Sequence, residues 1–209
     1  MSPQVTTQHY KGQAEIFKNP ILENLTKTNP ISNIIIYGIT VLSLIYMALF
    51  VINIPLYSFL ILFFGGLFFW TLAEYILHRS VFHWINENKA VQRFHFVIHG
   101  NHHLYPKDTD RILMPPVPGL LMGFVLLGMF YLIFAIIGYP DSTWGFFPGF
   151  FLGYLLYSFV HRATHVNKPL KRFKYLWKHH SLHHYKYPDK AFGVSNIFWD
   201  RIFGTMPPK

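Results

Sequence analysis

Apolar residues in this chain come in long unbroken runs rather than at the spacing of one helix face. Ile34 to Ile54 is one run, and Leu56 to Leu77 is a second in which Glu74 is the only ionisable residue. Pro118 to Ile137 is a third, and Gly145 to Val160 a shorter fourth. About 20 apolar residues cross a bilayer core as a helix, so the first three predict membrane spans directly. The fourth predicts a span that is tilted, extended or partly submerged. Buried helices of a soluble protein are the alternative, and runs of this length disfavour them. The polar stretches alternate with the runs. Residues 1–30 carry Pro3, Pro20 and Pro30 and predict a segment lying along the surface, with His9 as a solvated bystander. Between the second and third runs, histidines recur at helical spacing until Tyr105-Pro106 and Met114-Pro115-Pro116 break the pattern. After the fourth, Asn167-Lys168-Pro169 predicts a helix start, with Leu170, Phe173, Leu176 and Trp177 sharing a face.

Composition supports a membrane protein: the 209 residues are 52% hydrophobic and only 13% charged, too little charge for a water-facing surface. The basic residues then orient the spans. Three Lys precede residue 30, five Lys and Arg lie between His78 and Val117, and ten follow Val160, which accounts for all eighteen. The turns near Ile54 and from Gly138 to Trp144 carry none. The positive-inside bias predicts both termini and every histidine group in the cytoplasm, in an endoplasmic reticulum or bacterial inner membrane. Anionic headgroups explain the net charge of +9, so no nucleic-acid role follows. The absence of cysteine removes disulfides, thiolate ligands and iron–sulfur clusters from this chain. No cleaved leader is expected, since the first long apolar run begins only after residue 30. Residues 1–30 read as a surface segment and 31–209 as one integral-membrane domain.

Twelve of the thirteen histidines then stand out. They fall as His78/His83, His95/His99/His102/His103, His161/His165 and His179/His180/His183/His184, each group beside an apolar run. Imidazole suits iron, zinc and copper, and so many rings exceed the need of one ion, which predicts a site with two metals. On a helix, residues three and four apart share a face, so His99, His102 and His103 are expected to converge, as are His180, His183 and His184, and His161 with His165. His78 and His83 are five apart, about 140° on an ideal helix. The helix should therefore end or bend between them, or they serve different metals. His95 and His179 fit the same faces outside the HxxHH units, and orientation of a ligand or packing is their expected role. Glu74, one turn before His78, is expected to accept the imidazole N–H of His78. The predicted fold is all-α: four transmembrane helices with a cytoplasmic histidine-rich helical cap holding a dimetal site. Two irons with open positions, using O₂, fit this ligand set better than zinc, whose structural sites hold one ion with four ligands. Zinc can still occupy such a site in a purified sample. A lipid entering sideways from the bilayer would be the substrate.

The residues from about Leu72 to Asp200 resemble the membrane fatty acid hydroxylase family, and specifically fatty acid 2-hydroxylases. The resemblance runs through Glu74-Tyr75-Ile76-Leu77-His78, Phe94 to His103, Arg111-Ile112-Leu113-Met114-Pro115-Pro116-Val117-Pro118, His161 to His165, His179 to His184, and Trp199-Asp200. It implies ten metal ligands: His78, His83, His99, His102, His103, His161, His165, His180, His183 and His184. It also implies a di-iron centre that hydroxylates C2 of a free fatty acid or of a sphingolipid N-acyl chain. Relatives in eukaryotes often carry a cytochrome b5 domain, which the first 30 residues cannot hold, so electrons are expected from a separate cytochrome b5-like or ferredoxin-like protein. Ser158 stands where relatives commonly have an acid. Tyr157, one turn before His161, matches a family tyrosine that could hydrogen-bond an iron-bound oxygen or the substrate, with interfacial packing an equal alternative. C2 also suits the position of the ligands, since both lie near headgroup level. Lys107, Asp108, Asp110 and Arg111 read as a solvated loop, with headgroup contact the alternative. Sterol or carotenoid hydroxylases and lipid desaturases remain enzyme alternatives, and a membrane metal transporter or sensor is the non-enzyme alternative.

Overall fold

The structure is a computed structural model, described here for residues 8–208; expectations that fall on residues 1–7 lie outside the described residues. Among the described residues the regular elements are helical. In chain order they are α1 (Pro20–Asn24), α2 (Pro30–Tyr46), α3 (Leu56–Leu77), α4 (Lys89–His95), α5 (Asn101–Leu104), α6 (Pro116–Ile136), α7 (Ser142–Val166), α8 (Lys174–Tyr185) and α9 (Phe198–Ile202). Wide π-type turns continue α2 through Met47–Val51, α3 through His78–Phe82 and α4 through Phe96–Gly100. Four helical stretches are long and apolar enough to cross a membrane: Pro30–Val51, Leu56–Phe82, Pro116–Ile136 and Ser142–Val166. The protein is an integral membrane protein. The fourth span resolves its short apolar run by extension, because Ser142 to Trp144 and His161 to Val166 continue the helix to 25 residues.

The chain forms two compact units, one of residues 28–71 and 114–156, the other of the described residues up to Lys27, residues 72–113 and those from Tyr157 onward. The first is the span unit. Asn29 caps α2 by accepting from the Ile31 N–H at 2.8 Å, ahead of Pro30 at the first helical position. Asn33 Nδ2 then donates to the Met114 carbonyl at 2.9 Å and the Tyr37 hydroxyl to the Pro115 carbonyl at 3.2 Å, fastening the start of α2 to the start of α6. Between α2 and α3 the chain turns at Asn53, whose φ of 58° is the left-handed conformation that asparagine tolerates. α6 ends in a Schellman motif at Gly138, φ +85°, with Tyr139 N–H on the Phe134 carbonyl at 2.8 Å and Gly138 N–H on that of Ala135 at 3.0 Å. Helices α3 and α7 touch through their backbones: a Cβ at Gly149 would lie 1.9 Å from the Phe63 carbonyl oxygen and one at Gly66 2.0 Å from that of Phe146. Aromatic rings fill the remaining space, Phe130 meeting Phe146 and Phe150 at 5.1 Å and Trp70 meeting Phe150 at 5.1 Å.

The second is the histidine unit, and its packing is polar. Arg111 is buried; it donates to Asp108 at 2.8 Å, to the Glu23 carboxylate and to Thr26 Oγ1 at 3.0 Å. Asp108 in turn accepts from the Ala14 N–H at 3.0 Å, and Glu23 from Ile16 and Phe17 N–H at 3.0 and 2.7 Å. The expectation of a solvated loop at 107–111 is thereby corrected for Asp108 and Arg111, which are 3% and 8% exposed. Mutual pairing, together with the backbone amides of the N-terminal stretch, replaces their water. His9 is corrected as well. Its Nδ1–H donates to the His103 carbonyl at 3.0 Å and its ring packs against Tyr185 at 4.5 Å, because the last carbonyls of the four-residue α5 lack helical partners. Around α8, Leu176 is buried but Leu170 and Phe173 are exposed, since the α-helix begins only at Lys174.

Candidate metal centre

The first histidine pair shows how backbone geometry builds the site. Beyond Leu77 the helix widens into a π-type turn, and the His83 N–H donates to the His78 carbonyl five residues back, at 3.2 Å. Hydrogen bonding at this wider spacing brings positions i and i+5 together, so the rings stand 5.0 Å apart on one side instead of 140° around the helix. A second widening, Phe96–Gly100, comes before α5, and Asn101 Nδ2 takes up the Phe96 and Val97 carbonyls there at 2.8 and 2.9 Å.

Ten imidazoles gather as two groups of five. His78, His83, His99, His103 and His183 form one, and His102, His161, His165, His180 and His184 the other; within each, the candidate ligand nitrogens lie within 4.8 Å of one another. The expected convergence of each HxxHH triplet is corrected. In both motifs the outer pair, four residues apart, stays together while the middle histidine turns to the opposite group: His102 leaves His99 and His103, and His183 leaves His180 and His184. Positions i and i+4 overlay closely on a helix, whereas the position just before the last one points about 100° away. The groups adjoin, with the His103 and His184 rings stacked at 4.3 Å and the His99 and His102 rings at 5.6 Å.

The nitrogen contacts test whether metal fits. His99 Nε2 lies 3.1 Å from His78 Nε2 and 3.0 Å from His103 Nε2. In the other group His180 Nε2 lies 2.8 Å from His165 Nε2 and 3.1 Å from His184 Nε2. An imidazole nitrogen presents either one N–H or one lone pair, so neither central nitrogen can satisfy two such neighbours by hydrogen bonding. A cation that collects every lone pair does. Nitrogens about 2.9 Å apart are also what metal–nitrogen bonds of about 2.0–2.1 Å at right angles produce. Burial, reinforced by neighbouring imidazoles, holds His83, His99, His102, His103, His180, His183 and His184 well below the usual imidazole pKa, in the neutral form that ligates metal.

Around these rings runs a shell that the sequence disclosed only in part. Glu74 does not accept from His78, which corrects its expected role. Its carboxylate instead accepts from Val194 and Ser195 N–H at 2.7 and 2.8 Å and from the Ser195 hydroxyl. His78 Nδ1–H is taken by the Phe192 carbonyl at 2.5 Å, and His183 Nδ1–H by the Lys190 carbonyl at 2.7 Å. Backbone carbonyls carry no side-chain signature, so this loop could not be read from residue types. Asp200, quoted above only as part of the Trp199-Asp200 match, accepts from Phe192 and Gly193 N–H at 2.9 and 2.8 Å, from Thr205 at 2.7 Å and from His179 at 2.9 Å. Burial alone would raise its pKa, but these donors bring it below the usual carboxylate value. His95 donates to the Phe82 carbonyl at 2.7 Å. Neither His95 nor His179 enters a group of five. Tyr157 stacks on the His161 ring, centroids 5.6 Å apart.

The fatty acid hydroxylase family model matches residues 63–205. The chain belongs to this family. It is 37% identical over 143 residues to the dihydroceramide fatty acyl 2-hydroxylase FAH1 of Arabidopsis thaliana, covering 68% of this chain and 59% of that protein. Human fatty acid 2-hydroxylase is 38% identical over 154 residues, 71% of this chain and 40% of its own length. The ceramide very long chain fatty acid hydroxylase SCS7 of Saccharomyces cerevisiae is 37% identical over 209 residues, 95% of this chain and 51% of its own. The chain thus spans about half the length of the curated relatives it matches. Among solved structures, full-length scs7p, in which only the hydroxylase domain is visible, superposes with a TM-score of 0.81 at 37% identity, covering 95% of this chain and 74% of that one. The all-helical architecture and the family assignment follow from these matches. The relatives reported are named as hydroxylases, so the transporter reading finds no support among them.

Proposed function

We propose that this chain is a di-iron hydroxylase that inserts one oxygen atom of O₂ at C2 of a fatty acyl chain, free or amide-linked in a sphingolipid. The observation that carries the reading is the pair of adjoining five-nitrogen groups, in a family whose matched relatives are named for acyl 2-hydroxylation. The balance is one C–H bond, O₂, two electrons and two protons giving one C–OH and one water. The electrons come from a protein carrier of the cytochrome b5 or ferredoxin class. Bound iron would supply the oxidising power needed to break the unactivated C–H bond. The ten ligands would be His78, His83, His99, His103 and His183 on one ion, and His102, His161, His165, His180 and His184 on the other. Five neutral imidazoles would exceed the four ligands of structural zinc and would leave a six-coordinate ion one position for oxygen or substrate. The Phe192 and Lys190 carbonyls fix the tautomers of His78 and His183, so that each presents a lone pair at Nε2. Tyr157, whose ring stacks on His161, would hydrogen-bond the substrate or the oxygen to be transferred. His78 and His161 close membrane spans, which sets the chemistry near headgroup level, where C2 lies. The positive-inside bias orients both termini and the histidine unit to the cytoplasm.

The test is lipid mass spectrometry of cells expressing this chain with an electron donor, wild type against His183→Ala, with fragmentation to locate any new oxygen. Oxygen at C2 in the wild type alone is the expected result. Oxygen or unsaturation elsewhere would move the substrate to a sterol, a carotenoid or a desaturated lipid, and an unaltered lipidome with loaded metal and a working donor would overturn the enzyme.

A further inference from the structure

We propose that the loop from Lys190 to Ser195 makes the two metal positions unequal, with Glu74 and Asp200 as positioning residues, through that loop, for His78 and His183 of the first group. The inference rests on reading the two groups as a dimetal centre. Four consecutive backbone amides of this loop are held by carboxylates: Phe192 and Gly193 by Asp200, Val194 and Ser195 by Glu74. Both carboxylates are fully enclosed, with Asp200 0% and Glu74 2% exposed. They are anchored on different elements, α9 and α3. Clamped in this way, with the Ala191 N–H on the Thr205 carbonyl at 2.8 Å and φ +59° at Ala191, the loop aims two carbonyls at two rings. Those rings, His78 and His183, both belong to the first group. The anchor extends outward through Thr205 Oγ1 to the Tyr75 hydroxyl at 3.0 Å and on to Arg79. Gly193 is part of the fit, since a Cβ there would lie 2.0 Å from the Asn196 carbonyl oxygen.

Among the described residues the second group has no loop clamped by carboxylates; there the Pro106 carbonyl accepts from His165. Nδ1 of His102, His180 and His184 is buried without a hydrogen-bond partner among the described residues, against His83 and His103 in the first. A carbonyl that accepts from Nδ1–H raises the basicity of Nε2 and fixes the ring, and loss of such support typically weakens a metal site 10–100-fold. With His78 and His183 both held by the clamped loop, a first ion would be the more firmly held, and its hold would depend on two carboxylates that are not among the ten candidate ligands.

The test uses the purified full chain loaded with two equivalents of cobalt(II), stripped by a chelator and followed by cobalt absorption and metal content. His83→Ala and His165→Ala assign the release phases to the first and second groups. Asp200→Asn and Glu74→Gln are each expected to speed release from the first group about 10–100-fold while the second keeps its wild-type rate. Ser195→Ala, which removes only the hydroxyl contact to Glu74, is expected to act in the same direction by a smaller factor and keeps the test open if Glu74→Gln fails to fold. Asp108→Asn removes a buried carboxylate elsewhere in the same unit and is expected to leave both rates unchanged. Equal acceleration of both phases, no acceleration, or the same selectivity from Asp108→Asn would overturn the inference. A wild type that binds two cobalt ions yet oxidises no lipid would overturn the proposed activity and leave this result standing. One that binds fewer than two would overturn the dimetal centre and this inference together.

Discussion

The two units of this chain are held by opposite means. The span unit relies on close backbone approach at Gly66 and Gly149, on edge-to-face phenylalanines, and on two polar contacts from Asn33 and Tyr37 to carbonyls ahead of α6. The histidine unit buries imidazoles, carboxylates and a guanidinium, and nearly all of its specificity lies in who accepts from whom. Packing contacts of the first kind are numerous and individually small, so they tolerate exchange of one apolar residue for another. A buried polar network fails when one partner is removed, because the remaining partner keeps its desolvation cost. The site is therefore fragile by construction, while the spans are fragile only where no atom can be added.

That contrast can be broken at its strongest point by His103→Ala. We expect hydroxylation to be abolished and metal content to fall, with circular dichroism showing the helices retained; full activity with two metals bound would remove the candidate centre. In the span unit the matching blow is Gly149→Val. Its side chain must enter the space of the Phe63 carbonyl, and we expect loss of the monodisperse folded species in detergent chromatography, with activity falling only in proportion. Next in size is Arg111→Ala, which strands Asp108 and Glu23. Breaking a buried pair costs about 3–5 kcal/mol, to be read as a lowered unfolding midpoint of the full chain; an unchanged midpoint would show that solvent already screens the network.

Acidification gives the smallest and most graded effect. His99, His103, His180 and His184 have folded-state pKa values well below 6.5, so the unfolded chain binds more protons than the folded one once pH drops below that value. Stability of the metal-free protein should thus be flat above about pH 6.5 and decline below it, by up to about 1.4 kcal/mol per pH unit for each ring until the folded-state values are reached. Glu23 and Asp200, both lowered in the folded state, add a further loss only as pH falls below the ordinary carboxylate range. Thermal unfolding between pH 8 and pH 5 reads the slope; a flat profile would show that the rings titrate freely in the folded state.

The same contrast explains what the sequence disclosed. Hydropathy located all four spans, because lipid rewards apolar residues whatever their neighbours; it misplaced ends, most of all those of α7, where serine, tryptophan and histidine continue the helix. Clustering of histidine indicated a centre for two metals but left their partition open, and only the convergence of each HxxHH triplet was misjudged. His78 and His83 share a group through a π-type turn that residue types do not announce, and the middle histidine of each HxxHH crosses over. Glu74 was singled out correctly as an unusual charge yet assigned the wrong neighbour, since its true partners are amides some 120 residues away in the chain. Arg111 and Asp108 looked like an exposed loop because the partners that bury them, Glu23 and the Ala14 N–H, lie far back in the chain and leave no local trace.

The exchange of middle histidines between the two motifs also governs the order in which the protein can come into being. A ribosome that has released everything through His165 has supplied four of the five rings of the first set and three of the second: the first still lacks His183, the second both His180 and His184. A nascent chain can therefore hold neither ion with its full complement until the last motif emerges, and then both sets close within five residues. Completion of both sets is thus a late event in synthesis, and a chain truncated before residue 180 would carry neither set whole.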